Sequence, residues 1–314
     1  MNTIKRLPFL ALLVGIAFTS CIKSYIGPGE PKTIYQTISL DSKYSFLTAA
    51  VNKAGLVDAL NERGKTSLTL FAPTNDAFIA AGFKTYKDLA AIPDSTLKEV
   101  LLYHVIGSKV NAAQIPQAAN TAVNTLNGLP VYATRTPGNK VFINGVSVIK
   151  ADIECTNGVI HVINRVLFPA TGNIVKTAIG NPNLSLLVTA VLRASQGSTD
   201  VAAVLSGTGP FTVFAPTNQA FKNAGFPNTA SINAAAPNTL ASILTYHVIA
   251  GRIFSSDLSN GIKPATVNGE TVTIILTSGP QVKGMKNIGP ANITATDILA
   301  NNGVVHVIDQ VLLP

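Results

Sequence analysis

An internal repeat constrains the fold of this chain more than any other feature of its sequence. The repeat period is that of a whole domain, whereas the units of solenoid proteins are several-fold shorter. We therefore predict two copies of one domain, at 36–169 and 170–314. The recurring segments, which lie 143 to 145 residues apart, are TLFAPTNDAF at 69–78 and TVFAPTNQAF at 212–221, YHVI at 103–106 and 246–249, and NGVIHVI at 157–163 and NGVVHVI at 302–308.

The spacing of apolar residues predicts helices early in each copy and strands late in it. Apolar residues within 46–54 and 97–104 recur at the interval of a helix face, and 186–194 and 240–247 repeat the pattern. Later in the first copy, an Asn-Gly pair at 144–145 separates two apolar runs, which is typical of a two-residue hairpin. Helices followed by hairpins predict an α+β fold with segregated layers.

Polar residues at the starts of these helices are candidates for capping, because their side chains can accept bonds from free backbone N–H groups. Thr74 and Thr217, or the asparagine after each, precede a helix in the two copies. Asp94 or Ser95, and Asn238 in the second copy, precede the helix that ends near the Tyr-His pair.

The N-terminal segment has the features of an export signal. Two basic residues precede an apolar run at 7–18, which is shorter than the roughly 20 residues of a membrane-spanning helix. Small residues then lead into Cys21, an arrangement that resembles the lipobox of bacterial lipoproteins. We predict a signal peptide at 1–21, acylation of Cys21 and a tether at 22–35. The alternative is ordinary signal cleavage with Cys21 incidental.

Composition and charge exclude two classes of protein. Hydrophobic residues make up 47% of the chain and charged residues 12%, the opposite of a disordered protein. The net charge of +8 is spread along the chain without a basic cluster, so no nucleic-acid partner is expected. If Cys21 is acylated, Cys155 is a lone thiol, which we predict to be a small buried apolar group.

The repeated segments resemble the fasciclin domain. The first block of that family, T-x-F-A-P-x-N-x-A-F, is matched at 69–78 and 212–221, and its closing block, N-G-x-x-H-x-I-x-x-V-L-x-P, at 157–169 and 302–314. The resemblance implies a wedge-shaped β-sandwich of about seven strands with a helical cluster. It also implies a secreted or membrane-anchored protein that acts in adhesion.

The resemblance further implies candidate binding residues. The family's Tyr-His and Asp-Ile stretches are linked to integrin binding in animal members, a partner that we do not expect for a bacterial lipoprotein. The matching residues are Tyr103, His104, Asp152 and Ile153 in the first copy, and Tyr246, His247, Asp297 and Ile298 in the second.

The histidines allow two interpretations. A zinc ion can be held by two imidazoles and a carboxylate; each copy has such a set, namely His104, His161 and Asp152, and His247, His306 and Asp297. The other interpretation is a buried imidazole bonded to backbone, which we favour because each first histidine continues the apolar face of a helix. The second copy has only five acidic residues, and no nucleophile-elbow or phosphate-loop motif occurs, so we expect neither an enzyme nor a cofactor.

Three functions are compatible with these patterns. The favoured one is a non-enzymatic adhesion or binding protein of the cell envelope that presents two modules to a protein or glycan partner. It would be an exported lipoprotein, held at the outer membrane by its lipid anchor and facing either side. The alternatives are a metal-binding, small-ligand-binding or enzymatic envelope protein, and a structural role in envelope assembly.

Overall fold

A computed structural model describes residues 31–64 and 67–314 of the chain. The predictions for the signal peptide, the acylated Cys21 and most of the tether lie outside these residues. None of the described helices has both the length and the apolar character of a membrane-spanning helix.

Within its described residues, 31–64 and 67–169, the first copy contains six short helices and seven strands. Its helices are Ile34–Ser39 (α1), Ser45–Lys53 (α2), Val57–Asn61 (α3), Asn75–Ala80 (α4), Tyr86–Ala90 (α5) and Asp94–Tyr103 (α6). Its strands are Leu68–Pro73 (β1), Val105–Ile106 (β2), Thr121–Asn124 (β3), Pro130–Arg135 (β4), Val141–Ile143 (β5), Val146–Cys155 (β6) and Gly158–Ile163 (β7). We call this part domain 1.

The second copy, domain 2, repeats this order of elements apart from the strand β3. Its helices are Ile174–Ile179 (α7), Ser185–Ala194 (α8), Val201–Ser206 (α9), Asn218–Asn223 (α10), Thr229–Ala234 (α11) and Pro237–Tyr246 (α12). Its strands are Phe211–Pro216 (β8), Val248–Ala250 (β9), Thr273–Ile275 (β10), Gln281–Lys283 (β11), Ala291–Ala300 (β12) and Gly303–Ile308 (β13). In the part of the chain that the structure describes, short 3₁₀ helices lie at Ser42–Tyr44, Ala112–Gln114, Pro182–Leu184 and Ser255–Asp257.

The two sheets have the same topology. The strand order in domain 1 is β2-β1-β7-β6-β5-β4-β3, and in domain 2 it is β9-β8-β13-β12-β11-β10. The central pair, β1 with β7 and β8 with β13, is parallel, and the other neighbours are antiparallel. Domain 2 has no counterpart of the edge strand β3 among the described residues, since Ala265 and Thr271 form only an isolated bridge there. The prediction of two tandem α+β domains is confirmed.

A bulge interrupts the register of the long strand in each sheet. The register of β6 on β7 shifts between Val148 and Ile153, and the register of β12 on β13 shifts in the same way. Beyond the bulge the two halves of the domain 1 sheet face each other across a core that includes Phe71 from β1 and Ile143 from β5. The helices cover the other face of β1 and β7 in a second core, which contains Leu47 and Ile160.

The hairpin predicted around the Asn-Gly pair is present. Asn144 and Gly145 join β5 to β6, and both have positive φ, 49° and 77°. Two consecutive residues of positive φ are what a type I′ turn requires.

The capping predictions are confirmed at one pair of helices and wrong at another. Neither Asp94 nor Ser95 caps α6, because the helix begins directly after Pro93, whose side chain accepts no bond. Asn238 lies inside α12, and its Oδ1 instead accepts a bond of 2.9 Å from the backbone N–H of Ser198. A proline at the helix boundary has taken the place of a side-chain cap.

The start of domain 1 lies slightly before the boundary that we set at residue 36. Thr33 caps α1, and Ile34, its first residue, is fully buried. The backbone N–H of Ile34 donates a bond of 2.8 Å to Asn157 Oδ1, which is itself buried. The compact part of the chain therefore begins at Lys32.

Replacing Thr74 by alanine is expected to lower the free energy of unfolding by about 1 kcal/mol. Thr74 Oγ1 accepts a bond of 3.3 Å from the backbone N–H of Ala77 in the first turn of α4, and alanine leaves that donor without its partner. Urea unfolding measures the change, with Thr199→Ala at an exposed position as the control. Equal costs for the two variants would contradict the assignment of Thr74 as a cap.

Candidate functional site

The first histidine of each domain is buried and fully hydrogen-bonded to backbone. His104 directly follows α6; its Nδ1 lies 2.7 Å from Val100 O, and its Nε2 accepts a bond of 2.9 Å from the N–H of Leu167. Since Nε2 accepts, Nδ1 carries the proton and donates to Val100 O. His247 repeats this arrangement with Ile243 O and the N–H of Leu312.

The second histidine of each domain fixes the bulge in the long strand. His161 on β7 donates from Nε2 to Val110 O at 2.8 Å, and its Nδ1 accepts from the N–H of Asp152 at 3.3 Å. His306 does the same with Ile253 O and the N–H of Asp297. Each imidazole thereby ties the bulge to the loop that follows the short edge strand.

Burial favours the neutral form of three of these imidazoles. It lowers the pKa of His104 and of His247 to about 4, and it also lowers the pKa of His306. With both ring nitrogens engaged by backbone groups, no lone pair is free to bind a metal ion. In residues 31–64 and 67–314, no group of three or more His, Cys, Asp or Glu side chains is placed to hold a metal ion.

The tyrosines of the Tyr-His pairs also lie in the interior. Tyr103 is fully buried, donates from its hydroxyl to Pro130 O at 2.9 Å, and accepts from Asn144 Nδ2 at 2.9 Å. Burial raises the pKa of Tyr103 to about 12. Tyr246 is fully buried as well and donates to Thr271 O. A partner cannot reach either tyrosine without unfolding of its domain.

The Asp-Ile element of domain 1 lies on the surface. Asp152 sits in the bulge with φ 56°, a left-handed conformation that Asp tolerates better than most residues, and its side chain is 39% exposed. Its Oδ1 accepts a bond of 2.9 Å from the N–H of Ala112. Beside it, Glu154 pairs with Lys109 at 2.6 Å on an exposed face, while Ile153 is half-buried against the helical core.

The matching element of domain 2 is covered by domain 1. Asp297 has φ 64°, but its side chain is only 2% exposed. Its carboxylate accepts from the N–H of Ser255 at 2.6 Å and from Arg165 Nη2 of domain 1 at 2.7 Å. The Ser255 hydroxyl also donates to it. We call the contact between Arg165 and Asp297 the interdomain clasp.

Further side chains join the two domains around the clasp. The guanidinium carbon of Arg252 lies 4.1 Å from the ring centroid of Tyr132, a distance at which cation–π attraction is substantial. Asn120 Nδ2 donates to Arg252 O at 2.7 Å and to Asp257 Oδ2 at 3.1 Å. Our sequence analysis did not identify any of these residues. A comparison of the copies offers one signal, because Gln310 occupies the position in domain 2 that Arg165 has in domain 1.

The thiol of Cys155 is half-buried and free. Burial raises its pKa, and its Sγ lies 3.4 Å from Thr37 Oγ1. A thiol with a raised pKa is a poor nucleophile, and the position has no counterpart in domain 2, where Ala300 stands.

A sequence model of the Fasciclin domain matches residues 42–169 and 183–314. The chain belongs to the fasciclin domain family. Its relatives include the pig transforming growth factor-beta-induced protein ig-h3, 27% identical over 252 residues, which are 80% of this chain and 35% of that protein. Human periostin is 29% identical over 253 residues, 80% of this chain and 29% of periostin. The chain thus spans about a third of the length of these relatives.

Shorter relatives and a solved structure also match. A Synechocystis protein is 37% identical over 152 residues, 48% of this chain and 81% of its own length. A solved domain pair from the insect cell adhesion molecule fasciclin I aligns with 89% of this chain and 96% of its own, at 19% identity and a TM-score of 0.41. Fasciclin domains are generally involved in cell adhesion and binding.

The two fasciclin domains of this chain therefore differ in what they leave accessible. Both Tyr-His pairs are internal, and the Asp-Ile element of the second fasciclin domain is enclosed by the first. Asp152 and its neighbours, by contrast, lie on a free surface.

Proposed function

We propose that this chain is a non-enzymatic binding protein of the cell envelope whose partner-binding surface is the bulge of domain 1. The observation that supports this most is the contrast in exposure between Asp152, at 39%, and Asp297, at 2%. We call the surface formed by Asp152, Ile153, Glu154, Lys109 and Asn111 the bulge surface.

The bulge surface is suited to a polar partner. Its backbone is fixed, because His161 and Ala112 hold Asp152 in place, so little conformational entropy is lost on binding. Glu154 and Lys109 are exposed and add one charge of each sign beside Asp152. A protein or a glycan offers the hydrogen-bond donors that such carboxylates accept.

The cellular setting is part of the same proposal. We propose that the chain is exported through its signal peptide and held in the outer membrane through acylated Cys21. Membership of a family associated with adhesion supports an extracytoplasmic role. The domain 1 surface would then be presented at the end of a short tether.

Neutralising the bulge surface is expected to weaken binding about tenfold, since two charges in contact with a partner are lost. The variant Asp152→Asn plus Glu154→Gln keeps the shape of both side chains, and Asn also tolerates the left-handed backbone at 152. Residues 32–314 are labelled, and their retention on intact cells, on a glycan panel and on immobilised envelope protein is measured.

The control removes the same charge elsewhere, through Asp58→Asn plus Glu99→Gln on exposed helix positions. The proposal requires that the control bind like the unaltered chain. Retention that is equal in all three proteins assigns binding to another surface, and no retention on any of the three supports overturns the binding role itself.

A further inference from the structure

A loop in domain 2 departs from the repeat and stands out from the rest of its surface. In domain 1 the strands β5 and β6 are joined by two residues, Asn144 and Gly145. The corresponding strands β11 and β12 are joined by seven residues, 284–290. We call this segment the tip loop.

The tip loop exposes large apolar side chains. Ile288 is fully exposed, with a relative accessibility of 102%, and Met285 is 66% exposed. Single exposed apolar residues are ordinary on protein surfaces, but two within four residues of an inserted loop form a patch. Covering such a patch with apolar groups lowers the free energy, because apolar surface is then removed from water.

The tip loop is held in a fixed conformation by hydrogen bonds to the rest of domain 2. The N–H of Met285 donates to the buried Tyr246 hydroxyl at 2.9 Å. Asn287 donates from Nδ2 to Val311 O at 2.9 Å and accepts from the N–H of Leu313 at 2.8 Å. The apolar side chains are therefore displayed by an anchored backbone, which lowers the entropy lost when they bind.

Lysines surround the exposed apolar residues. Lys286 lies between Met285 and Ile288, and Lys283 directly precedes the loop. Lys283 pairs with Thr273 across β10 and β11. The neighbouring pair, Ile274 with Val282, is fully buried, so Lys283 points away from the core.

A third lysine lies near Lys283 and Lys286. Backbone bonds from Val272 to Pro264 O and from Ile274 to Ile262 O place Lys263 on the other side of Thr273. Glu270 and Asp309 are acidic residues of the same region, since the Asp309 carboxylate accepts from Asn292, the strand neighbour of Gln281. They offset two of the three positive charges, so the patch is apolar at its tip and carries a single net positive charge behind it.

A third fasciclin domain could not pack against the tip loop in the way that domain 2 packs against domain 1. The short turn of domain 1 fits closely against domain 2, since a Cβ added at Gly145 would lie 2.7 Å from the Asp297 carboxyl carbon. A seven-residue loop has no room in such a contact. The clasp arginine is also missing, because Gln310 stands where domain 1 has Arg165.

We propose that the tip loop is a membrane contact, in which Ile288 and Met285 enter the interface of a bilayer rich in anionic lipid. Apolar side chains that insert at headgroup depth, together with lysines that pair with lipid phosphates, are the combination that binds such surfaces. The loop would orient domain 2 on the membrane and leave the bulge surface of domain 1 free.

The test uses residues 32–314, the compact part of the chain, so that the proposed lipid anchor makes no contribution. The protein contains no tryptophan, so Ile288→Trp introduces a single reporter into the tip loop. Its emission is expected to shift to the blue with vesicles of phosphatidylcholine and phosphatidylglycerol, and to be shielded from an aqueous quencher. Leu192→Trp, at a position 60% exposed on α8, is the matched control and should not respond.

Charge dependence is measured by vesicle co-sedimentation. Lys283→Gln plus Lys286→Gln is expected to reduce partitioning roughly 30-fold, and added salt should weaken the binding of the unaltered chain. Lys176→Gln plus Lys222→Gln removes two exposed charges elsewhere and should leave partitioning unchanged.

Three results would overturn the proposal. The first is no response of the tryptophan at 288 in a folded protein. The second is an equal response to vesicles of phosphatidylcholine alone. The third is a shift that requires no vesicles and grows with protein concentration, which would assign the loop to a second copy of the chain. None of these depends on whether the bulge surface binds a partner.

Discussion

Replacing Asp297 by alanine is expected to lower the free energy of unfolding by about 3 kcal/mol. The carboxylate is buried and joins Arg165 to Ser255, and its loss leaves the N–H of Ser255 without an acceptor and Arg165 with only its longer bonds to Thr296. The value is at the low end of the range for breaking a buried ion pair, because the Arg165 side chain is 42% exposed and can be partly rehydrated. Denaturant unfolding measures the change.

The repeat provides a matched control for this variant. Asp152→Ala removes the same residue type from the same left-handed bulge position, so the backbone strain introduced by alanine is shared. Asp152 accepts one backbone bond and has no partner in domain 2, so its loss should cost about 1–2 kcal/mol. Similar costs for the two variants would mean that the clasp contributes nothing measurable.

Breaking the clasp should also uncouple the two domains. In the unaltered chain the interface stabilises each domain while the other is folded, whereas in Asp297→Ala this contribution is reduced. We expect the unfolding transition of the variant to broaden or to separate into two. Small-angle scattering of the folded variant should show a larger radius of gyration if the domains move apart.

Lowering the pH from 6 to 5 is expected to reduce the free energy of unfolding by about 2 kcal/mol through His104 and His247. In the folded protein the pKa of each is lowered to about 4 by burial, from an ordinary value of 6.5. Between these values the unfolded chain binds protons that the folded chain does not. Stability is therefore complete above pH 6.5 and declines as the pH falls towards 4.

The structural cause of this pH dependence is the position of the imidazole nitrogens. A proton added to Nε2 of His104 would face the N–H of Leu167, which now donates to that nitrogen. His247 and Leu312 present the same conflict. Protonation thus removes a hydrogen bond and leaves two donors facing each other inside the core.

The control replaces both residues by glutamine, which offers a donor and an acceptor but no ionisable group. The double variant is expected to lose less stability than the unaltered chain between pH 6.5 and 5, and the loss that remains comes from His306, whose pKa burial also lowers. If the variant does not fold, imidazole resonances followed by NMR give an independent measurement. Titration of His104 or His247 near 6.5 in the folded protein would contradict the assignment.

Much of the fold could be predicted from the sequence because its determinants are local or repeated. The apolar spacing of 46–54 and 97–104 matches α2 and α6, and the Asn-Gly pair gives the turn that its backbone preference favours. The burial of His104 followed from its place on an apolar helix face. The start of α6 was missed because Pro93 ends the preceding segment without a side-chain cap.

The site could be predicted only as a pair of equivalent elements. The sequence contains the Asp-Ile stretch twice, and nothing near Asp152 or Asp297 predicts that one is exposed and the other enclosed. The repeat offset changes only from 143 to 145, which is less than the five residues by which 284–290 exceeds the turn of domain 1, so neither the insertion nor its display of Ile288 could be predicted. Both features depend on neighbours that are distant along the chain.

The sequence by itself determined that this chain forms two fasciclin domains, with the same order of helices and strands and with buried histidines in each. The family was identified from the resemblance of the repeated motifs, whereas the order of helices and strands follows from hydrophobic periodicity and turn chemistry, which act over a few residues. Only the tertiary structure decided which bulge is available to a partner. Burial at Asp297 results from the packing of one domain against the other, and the clasp joins residues 132 positions apart.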